Sequence, residues 1–208
     1  MTLKSMKINI ILLSIFLSFS FTFVFGQEFF ENKQIGIKIL KPRNWILASN
    51  KDLESSLKKI EFSDKQLVEL LNSNKGVVTL CSYYKYKIDS VAGLIPTVKI
   101  TIRNNPTSNY SDFKQMMVES TDRVKTVVQN FEFIENFKEL KISDYASLTY
   151  SCRYAFSLAS GHTMKVRNAY YMIPKGKYFI SISLMDNETN ENNSQVYDQL
   201  ISSLQLIK

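Results

Sequence analysis

The sequence predicts an α+β fold, an antiparallel β-sheet sandwiched between helices. Three observations predict it. From Glu132 to Met185, four β-branched and aromatic runs follow one another across turns too short for anything but antiparallel neighbours. Ahead of them, Phe113, Met116, Met117, Ser120, Val124, Val127, Val128 and Phe131 recur at three and four, the stripe of a long helix. Behind them, Val196, Leu200, Leu204 and Ile207 form a second stripe. Strands and helices are segregated rather than alternating, which separates this arrangement from the parallel α/β folds.

The first residues read as an address rather than as structure. Lys4 and Lys7 precede an apolar run, Ile10 to Val24, and Val24-Phe25-Gly26 is a compact exit. A charged start, an apolar core and a small-residue exit are the parts of a secretory signal peptide. The rival is a retained anchor, because Ile8 to Gly26 carries no charge and about 20 apolar residues span a bilayer. The Gly26-Gln27 exit, followed at once by a folded-looking segment, favours cleavage. With no Cys at the exit, the acyl anchor of a bacterial lipoprotein is not available. Export to the periplasm or the extracellular space is the expectation, with residues 1–26 as leader and 27–208 as one domain.

Removing the leader takes two lysines and lowers the net charge from +7 to +5. The excess is scattered over Lys58, Lys59, Lys85, Lys87, Lys165, Arg167, Lys175 and Lys177. Nucleic-acid binding needs a concentrated basic stripe, so a solvated surface is the better reading. The single His removes His-rich zinc sites, and two Cys make neither a metal knuckle nor a dense disulfide scaffold.

Along the mature chain, Ile35–Leu40 alternates as a strand, and Lys41-Pro42-Arg43-Asn44 turns it because Pro fixes φ. Trp45–Ala48 follows as a short strand. Leu53, Leu57 and Ile60 share a helical stripe over Asp52–Ile60. Ser63-Asp64-Lys65-Gln66 is a capping box ahead of Leu67, Leu70 and Leu71, and that helix stops near Asn74-Lys75-Gly76. Val77–Lys87 and Pro96–Arg103 pair as a hairpin. The loop Asn104–Asn109 precedes the long helix, Asp112 to about Asn130, which Ser111 can cap. Strands over Glu132–Ile142, Tyr145–Leu158, His162–Ile173 and Lys177–Met185 complete the sheet. Their turns are Ser143-Asp144, Ala159-Ser160-Gly161 and Pro174-Lys175-Gly176. Apolar residues on both parities of these strands imply that both faces are covered.

This layout resembles the PsbP-like family, whose fold is shared with a Ran-binding nuclear-transport factor. The resemblance rests on the Ile37–Trp45 strand with its Pro42-x-x-Trp45 turn, and on Ser111-Asp112-Phe113 opening the long helix. It rests also on Ala169–Ile173 followed by a Lys-Gly turn and Tyr178–Ser183, and on the terminal helix Tyr197–Leu204. It covers nearly all of the mature chain as a pattern, with no single diagnostic motif. It implies an antiparallel sheet between helices and a non-enzymatic, accessory role. No metal-site residue of the photosystem member can be matched, so no cofactor is carried over.

Candidate chemistry is sparse. His162, at a turn beside Ser160, Gly161 and Thr163, reads as a solvent-exposed imidazole, because no nucleophile and orienting carboxylate can be placed with it. Cys81 and Cys152 are either a disulfide, permitted by an oxidising compartment, or two buried thiols, and the parity of Cys152 with Leu148, Tyr150, Tyr154 and Phe156 suits the thiol. A Cys152–His162 pair would require the two to meet across the turn. The loop Asp186–Glu191 gathers three carboxylates, but an EF-hand needs Gly at the sixth position and Glu at the twelfth, where Glu191 and Tyr197 stand. Tyr83, Tyr154 and Tyr171 are candidate interface residues, since a tyrosine joins an apolar body to a polar tip; aromatic strand residues are more often sheet core or cross-strand pairs.

The reading is therefore an exported binding or accessory module with an unspecified protein partner or small ligand, no nucleic acid and no membrane span once the leader is cleaved. Two alternatives stand beside it. One is a carrier of a small hydrophobic ligand between the sheet and the helix bearing Met116 and Met117. The other is a hydrolase, which requires His162 and a carboxylate to converge.

Overall fold

The computed structural model describes residues 27–48, 64–87, 90, 91, 93–157, 161, 163–188 and 192–207. The leader, the helix expected over Asp52–Ile60, the capping Ser63 and His162 lie outside the described residues. Ten strands and three helices are described. Chain order is β1 (Phe29–Asn32), β2 (Ile37–Leu40), β3 (Ile46–Ala48), α1 (Asp64–Ser73), β4 (Val77–Tyr84), β5 (Thr97–Asn104) and α2 (Tyr110–Lys125). Then come β6 (Gln129–Ile142), β7 (Tyr145–Ser157), β8 (Thr163–Lys175), β9 (Tyr178–Asn187), α3 (Ser194–Ser202) and β10 (Gln205–Leu206). A seven-stranded antiparallel sheet has the order β3-β4-β5-β9-β8-β7-β6, and a small one the order β1-β2-β10. Among the described residues no helix is long and apolar enough to cross a membrane.

Cross-strand register gives the large sheet two unlike faces. One row runs Cys81, Ile100, Ile182, Tyr171, Thr149. The next runs Ser82, Lys99, Ser183, Tyr170, Tyr150, pointing the other way because successive strand residues alternate. The first face is aliphatic: Ile100, Ile102, Ile173, Ile180 and Ile182 are fully buried. They pack in one cluster with Leu67 and Leu71 of α1, Leu200 of α3, and Ile37 and Ile39 of β2. Each such side chain contributes about 2 kcal/mol in apolar area removed from water. The second face lies under α2, where Phe113, Leu148, Met172 and Phe179 form a separate core. Helices thus stand on both faces.

Several expected boundaries move. The helix cap is Asn109, whose Oδ1 accepts from the Asp112 amide at 2.9 Å, rather than Ser111. α2 stops at Lys125 although its stripe continues to Phe131, because Gln129 onward joins β6 as an edge strand and strand pairing overrides the period. The last hairpin turns at Gly176-Lys177, with Pro174 and Lys175 inside β8 opposite Phe179 and Tyr178. α3 ends at Ser202, and the chain leaves it to pair with β2 as β10. β1 was not expected from the sequence; it is held by pairing with β2. Gly36 makes the β10 junction feasible. Its φ is +68°, and a Cβ there would stand 2.3 Å from the Ile207 carbonyl oxygen, whose amide donates back to the Gly36 carbonyl at 2.9 Å.

A Cys81–Cys152 disulfide is excluded by this topology. Neither thiol is in a disulfide, and both are buried. They sit on opposite faces of strands four positions apart, about 19 Å at the usual strand spacing, whereas a bridge needs Cα atoms within about 7 Å.

Candidate groove at the Pro42–Trp45 turn

At the end of β2 the chain makes the turn read from the sequence. Pro42 fixes the backbone, the Trp45 amide donates to the Pro42 carbonyl at 3.2 Å, and Asn44 takes φ +63°, a region that Asn tolerates better than most residues. The β1–β2 pairing extends one step further, Lys41 N–H to Glu28 carbonyl at 2.8 Å, and so lays Gln27 and Glu28 beside the turn. Across from them stands α3, whose Val196, Gln199 and Leu200 share a face at spacings of three and four.

What fixes α3 is a buried carboxylate. Asp186, at the end of β9, is 0% exposed. Its Oδ1 accepts from the Tyr197 hydroxyl at 2.7 Å and from Asn193 Nδ2 at 2.6 Å, and its Oδ2 pairs with the Arg167 guanidinium at 2.8 Å. Lys85 Nζ donates to Asn193 Oδ1 at 2.8 Å. At the helix's other end the Leu40 amide donates to Ser203 Oγ at 2.9 Å, joining α3 to β2 directly. Trp45 closes the contact edge-on against Tyr197, with ring centroids 6.1 Å apart.

Between turn and helix lies a groove of about 610 Å³, lined by Gln27, Glu28, Leu40, Lys41, Pro42, Arg43, Asn44, Trp45, Val196, Gln199 and Leu200. Trp45 and Leu200 are buried in its floor, and the amides and cations stand at its rim. The rim carboxylate of Glu28 is paired with Lys41 at 2.5 Å. The arrangement offers apolar contact below, amide hydrogen bonds and positive charge above. Volume and mixture are those of a binding cleft.

Pro42 and Trp45, singled out in the sequence as pattern residues, therefore meet in the groove. Sequence reasoning missed Val196, Gln199 and Leu200, which reach it only through the fold; the Pro-x-x-Trp turn, with Lys41 before it and Arg43 inside it, was its one local signal. The three candidate tyrosines do not share one face. Tyr83 is 2% exposed and belongs to the aliphatic core, Tyr171 shares that face, and Tyr154 lies on the opposite one. The two-residue alternation that makes a strand thus splits them.

On that opposite face a polar network is buried. Asn168 Nδ2 donates to the Tyr170 hydroxyl at 2.8 Å, and Ser183 Oγ donates to Asn168 Oδ1 at 3.0 Å. Tyr150 and Tyr170 stack with centroids 4.9 Å apart. Burial pushes the Tyr150 hydroxyl and the Cys152 thiol each up to about 12, and raises Tyr170 further. A thiol so placed is a structural group rather than a nucleophile.

The acidic loop is likewise engaged where it is described: Asp186 anchors α3, and Glu188 pairs with Arg153 at 3.3 Å. Among the described residues no group of three or more metal-ligating side chains gathers. Two smaller cavities, of about 360 Å³ beside Arg153 and Tyr154 and about 380 Å³ at the start of α2, share no lining with the groove. None of the three cavities takes lining from Met116 or Met117, which pack on the Phe113 core.

No family model matches the sequence, and no curated protein does. Among solved structures, cyanobacterial PsbP (CyanoP) from Synechocystis sp. PCC 6803 is similar at TM-score 0.52 and 13% identity, covering 89% of this chain and 95% of that one. LpqN, involved in cell envelope biogenesis of Mycobacterium tuberculosis, aligns at TM-score 0.48 and 8% identity over 83% of each chain. The Ran-binding protein Mog1p of Saccharomyces cerevisiae aligns at 0.46 and 13%, over 88% of this chain and 96% of that one. The seven-stranded sheet between helices, extending over nearly the full length of the cyanobacterial protein, is a PsbP-like fold.

Proposed function

We propose that the protein is an exported, non-enzymatic binding or accessory module, and that its binding surface is the groove between the Pro42–Trp45 turn and α3. One observation carries the reading: the largest of the three cavities is built on the two residues that the sequence pattern singles out, and its rim is polar while its floor is apolar. The charged, apolar and compact segments of residues 1–26 support export. The packing of Met116 and Met117 on the Phe113 core supports the groove over the sheet–helix contact of the hydrophobic-carrier alternative.

Native mass spectrometry of the protein purified from its own envelope tests this reading. The expected species begins at Gln27 and carries an additional mass released on denaturation. Replacing Gln199, an exposed wall residue, by Trp fills the groove and should abolish that mass. A bare chain in the unmodified protein, or a bound mass indifferent to Gln199→Trp, contradicts the groove; a chain beginning at Met1 contradicts leader removal.

A further inference from the structure

We propose that one end of the seven-stranded sheet is a docking surface for an anionic lipid membrane. This goes beyond the groove and does not depend on its occupant. Cross-strand register fixes which parts share that end. Ile46 pairs with Tyr84, Tyr84 with Thr97 and Thr97 with Met185, and the series continues through Val166–Asn187, Ser157–Thr163 and Gln129–Ala155. The start of β3, the β4–β5 loop, the ends of β7 and β9 and the turn from α2 into β6 therefore lie together. Singly exposed apolar side chains are ordinary on a protein surface. Here eight large ones are exposed among the described residues, and five of them share this end: Ile46, Val91, Val124, Val127 and Phe156. Val127, in the turn after α2, is 78% exposed. The β4–β5 loop that carries Val91 reaches β8, where the Leu94 amide donates to Met164 Sδ at 3.0 Å, and Met164 stands opposite Phe156. Ala155, next to Phe156, stands opposite Gln129, two residues past Val127.

The charges around these side chains select the partner. Lys87, Arg123 and Lys165, at the same end, are exposed and make no side-chain hydrogen bond or ion pair among the described residues. Asp122, Glu132 and Glu188, also at that end, are already paired, the first with Lys125 and the other two with Arg153. Apolar tips set among uncompensated cations suit a bilayer surface. Each tip enters the headgroup boundary while the ammonium and guanidinium groups meet lipid phosphates. A protein partner would call for an apolar seat, whereas the cavity beside Arg153 and Tyr154 is lined chiefly by charged and amide side chains. The point where the chain enters the domain agrees. Gln27 follows the uncharged run Ile8–Gly26, and the bond from the Lys41 amide to the Glu28 carbonyl sets it beside the turn that leads to Ile46. The apolar leader thus joins the domain at the end that bears the apolar tips, and in the precursor this is the end held next to a bilayer.

Labels at two positions test this on the protein isolated from its native source, carrying either Val127→Cys or Lys177→Cys. Cys81 and Cys152 are buried, so the introduced thiol is the one that takes a polarity-sensitive alkylating fluorophore. Lys177 is exposed in the β8–β9 turn, at the opposite end of the sheet. Each labelled protein is mixed with phosphatidylcholine vesicles, with or without phosphatidylglycerol. The label at position 127 should brighten and shift to the blue with the phosphatidylglycerol vesicles and respond weakly to phosphatidylcholine alone. The label at position 177 should respond to neither. Arg123→Glu and Lys165→Glu together should raise the lipid concentration for half-response at least about tenfold, and added salt should act the same way. Both residues are exposed, so unchanged thermal unfolding of that variant is the control. An equal response at positions 127 and 177 would mean adsorption without a docking end and would overturn the proposal. A response at position 127 indifferent to phosphatidylglycerol and to the two charge reversals would overturn the anionic partner. No response at position 127 with either vesicle would overturn membrane docking and leave these side chains to a protein partner.

Discussion

The two faces of the large sheet solve the same packing problem with different chemistry. Under α1 and α3, the face is built from Ile100, Ile102, Ile173, Ile180 and Ile182, all fully buried against aliphatic neighbours. Under α2, the same strands present Cys152 beside Tyr150, Asn168, Tyr170 and Ser183, these four joined by hydrogen bonds and a ring contact. The aliphatic face gains from area and tolerates no voids; the aromatic-polar face holds together only while its donors and acceptors stay matched. The difference locates the groove. It opens where the aliphatic layer ends, at Trp45 and Leu200, and its far wall hangs on Asp186, among the described residues the one buried carboxylate.

Breaking the aliphatic face should cost most. Ile182→Ala removes a fully buried side chain between β5 and β8 and should lower the unfolding free energy by about 4 kcal/mol in a denaturant titration. A loss under about 1 kcal/mol would mean that this face is not close-packed. Next in size is Asp186→Ala, which leaves Arg167, Tyr197 and Asn193 without their shared acceptor. About 3 kcal/mol should be lost, and Trp45 emission should shift in the native state as α3 loosens. Unchanged emission would detach the groove from that network.

On the other face the effects are smaller. Tyr170→Phe keeps the ring and deletes the hydroxyl that accepts from Asn168, so thermal unfolding should report a loss of about 1.5 kcal/mol. A pH effect follows from Cys152, raised by burial from the ordinary 9.0 to about 12. Between pH 9 and 12 the unfolded chain gives up the thiol proton while the native chain retains it, so stability falls as pH rises through that window. Below pH 9 both states are protonated and the thiol contributes no slope. Cys152→Ala should make the alkaline decline shallower, and the native thiol should react slowly with alkylating reagents at neutral pH. An unaltered alkaline slope would show that the thiol is not buried as described.

Much of the fold was legible in the sequence for local reasons. The 4-5 hairpin, the long helix and the meander announce themselves through period and turn composition, and Pro42-Arg43-Asn44-Trp45 marks the groove's floor and rim. What escaped was everything that only pairing decides. Phe29–Asn32 has little strand character and becomes β1 because β2 offers it a partner. Gln205-Leu206 falls between Leu204 and Ile207 of a helical stripe and becomes β10 for the same reason. The groove's second wall lies more than 150 residues along the chain from Pro42, beyond any local signal. The tyrosines could be placed on strands but not on faces, because sharing an apolar-polar character says nothing about sharing a face: Tyr83 and Tyr154 stand on opposite sides of the sheet.

The central claim, that binding occurs at the Pro42–Trp45 turn and α3 rather than on the aromatic face, is tested most directly by amide hydrogen exchange. The protein isolated from its native source with its partner bound is compared with the same protein stripped of it. The account predicts slowed exchange in residues 28–45 and 194–202 with little change elsewhere. Slowed exchange confined to β6 and β7 would place the partner on the aromatic side of the sheet and contradict it.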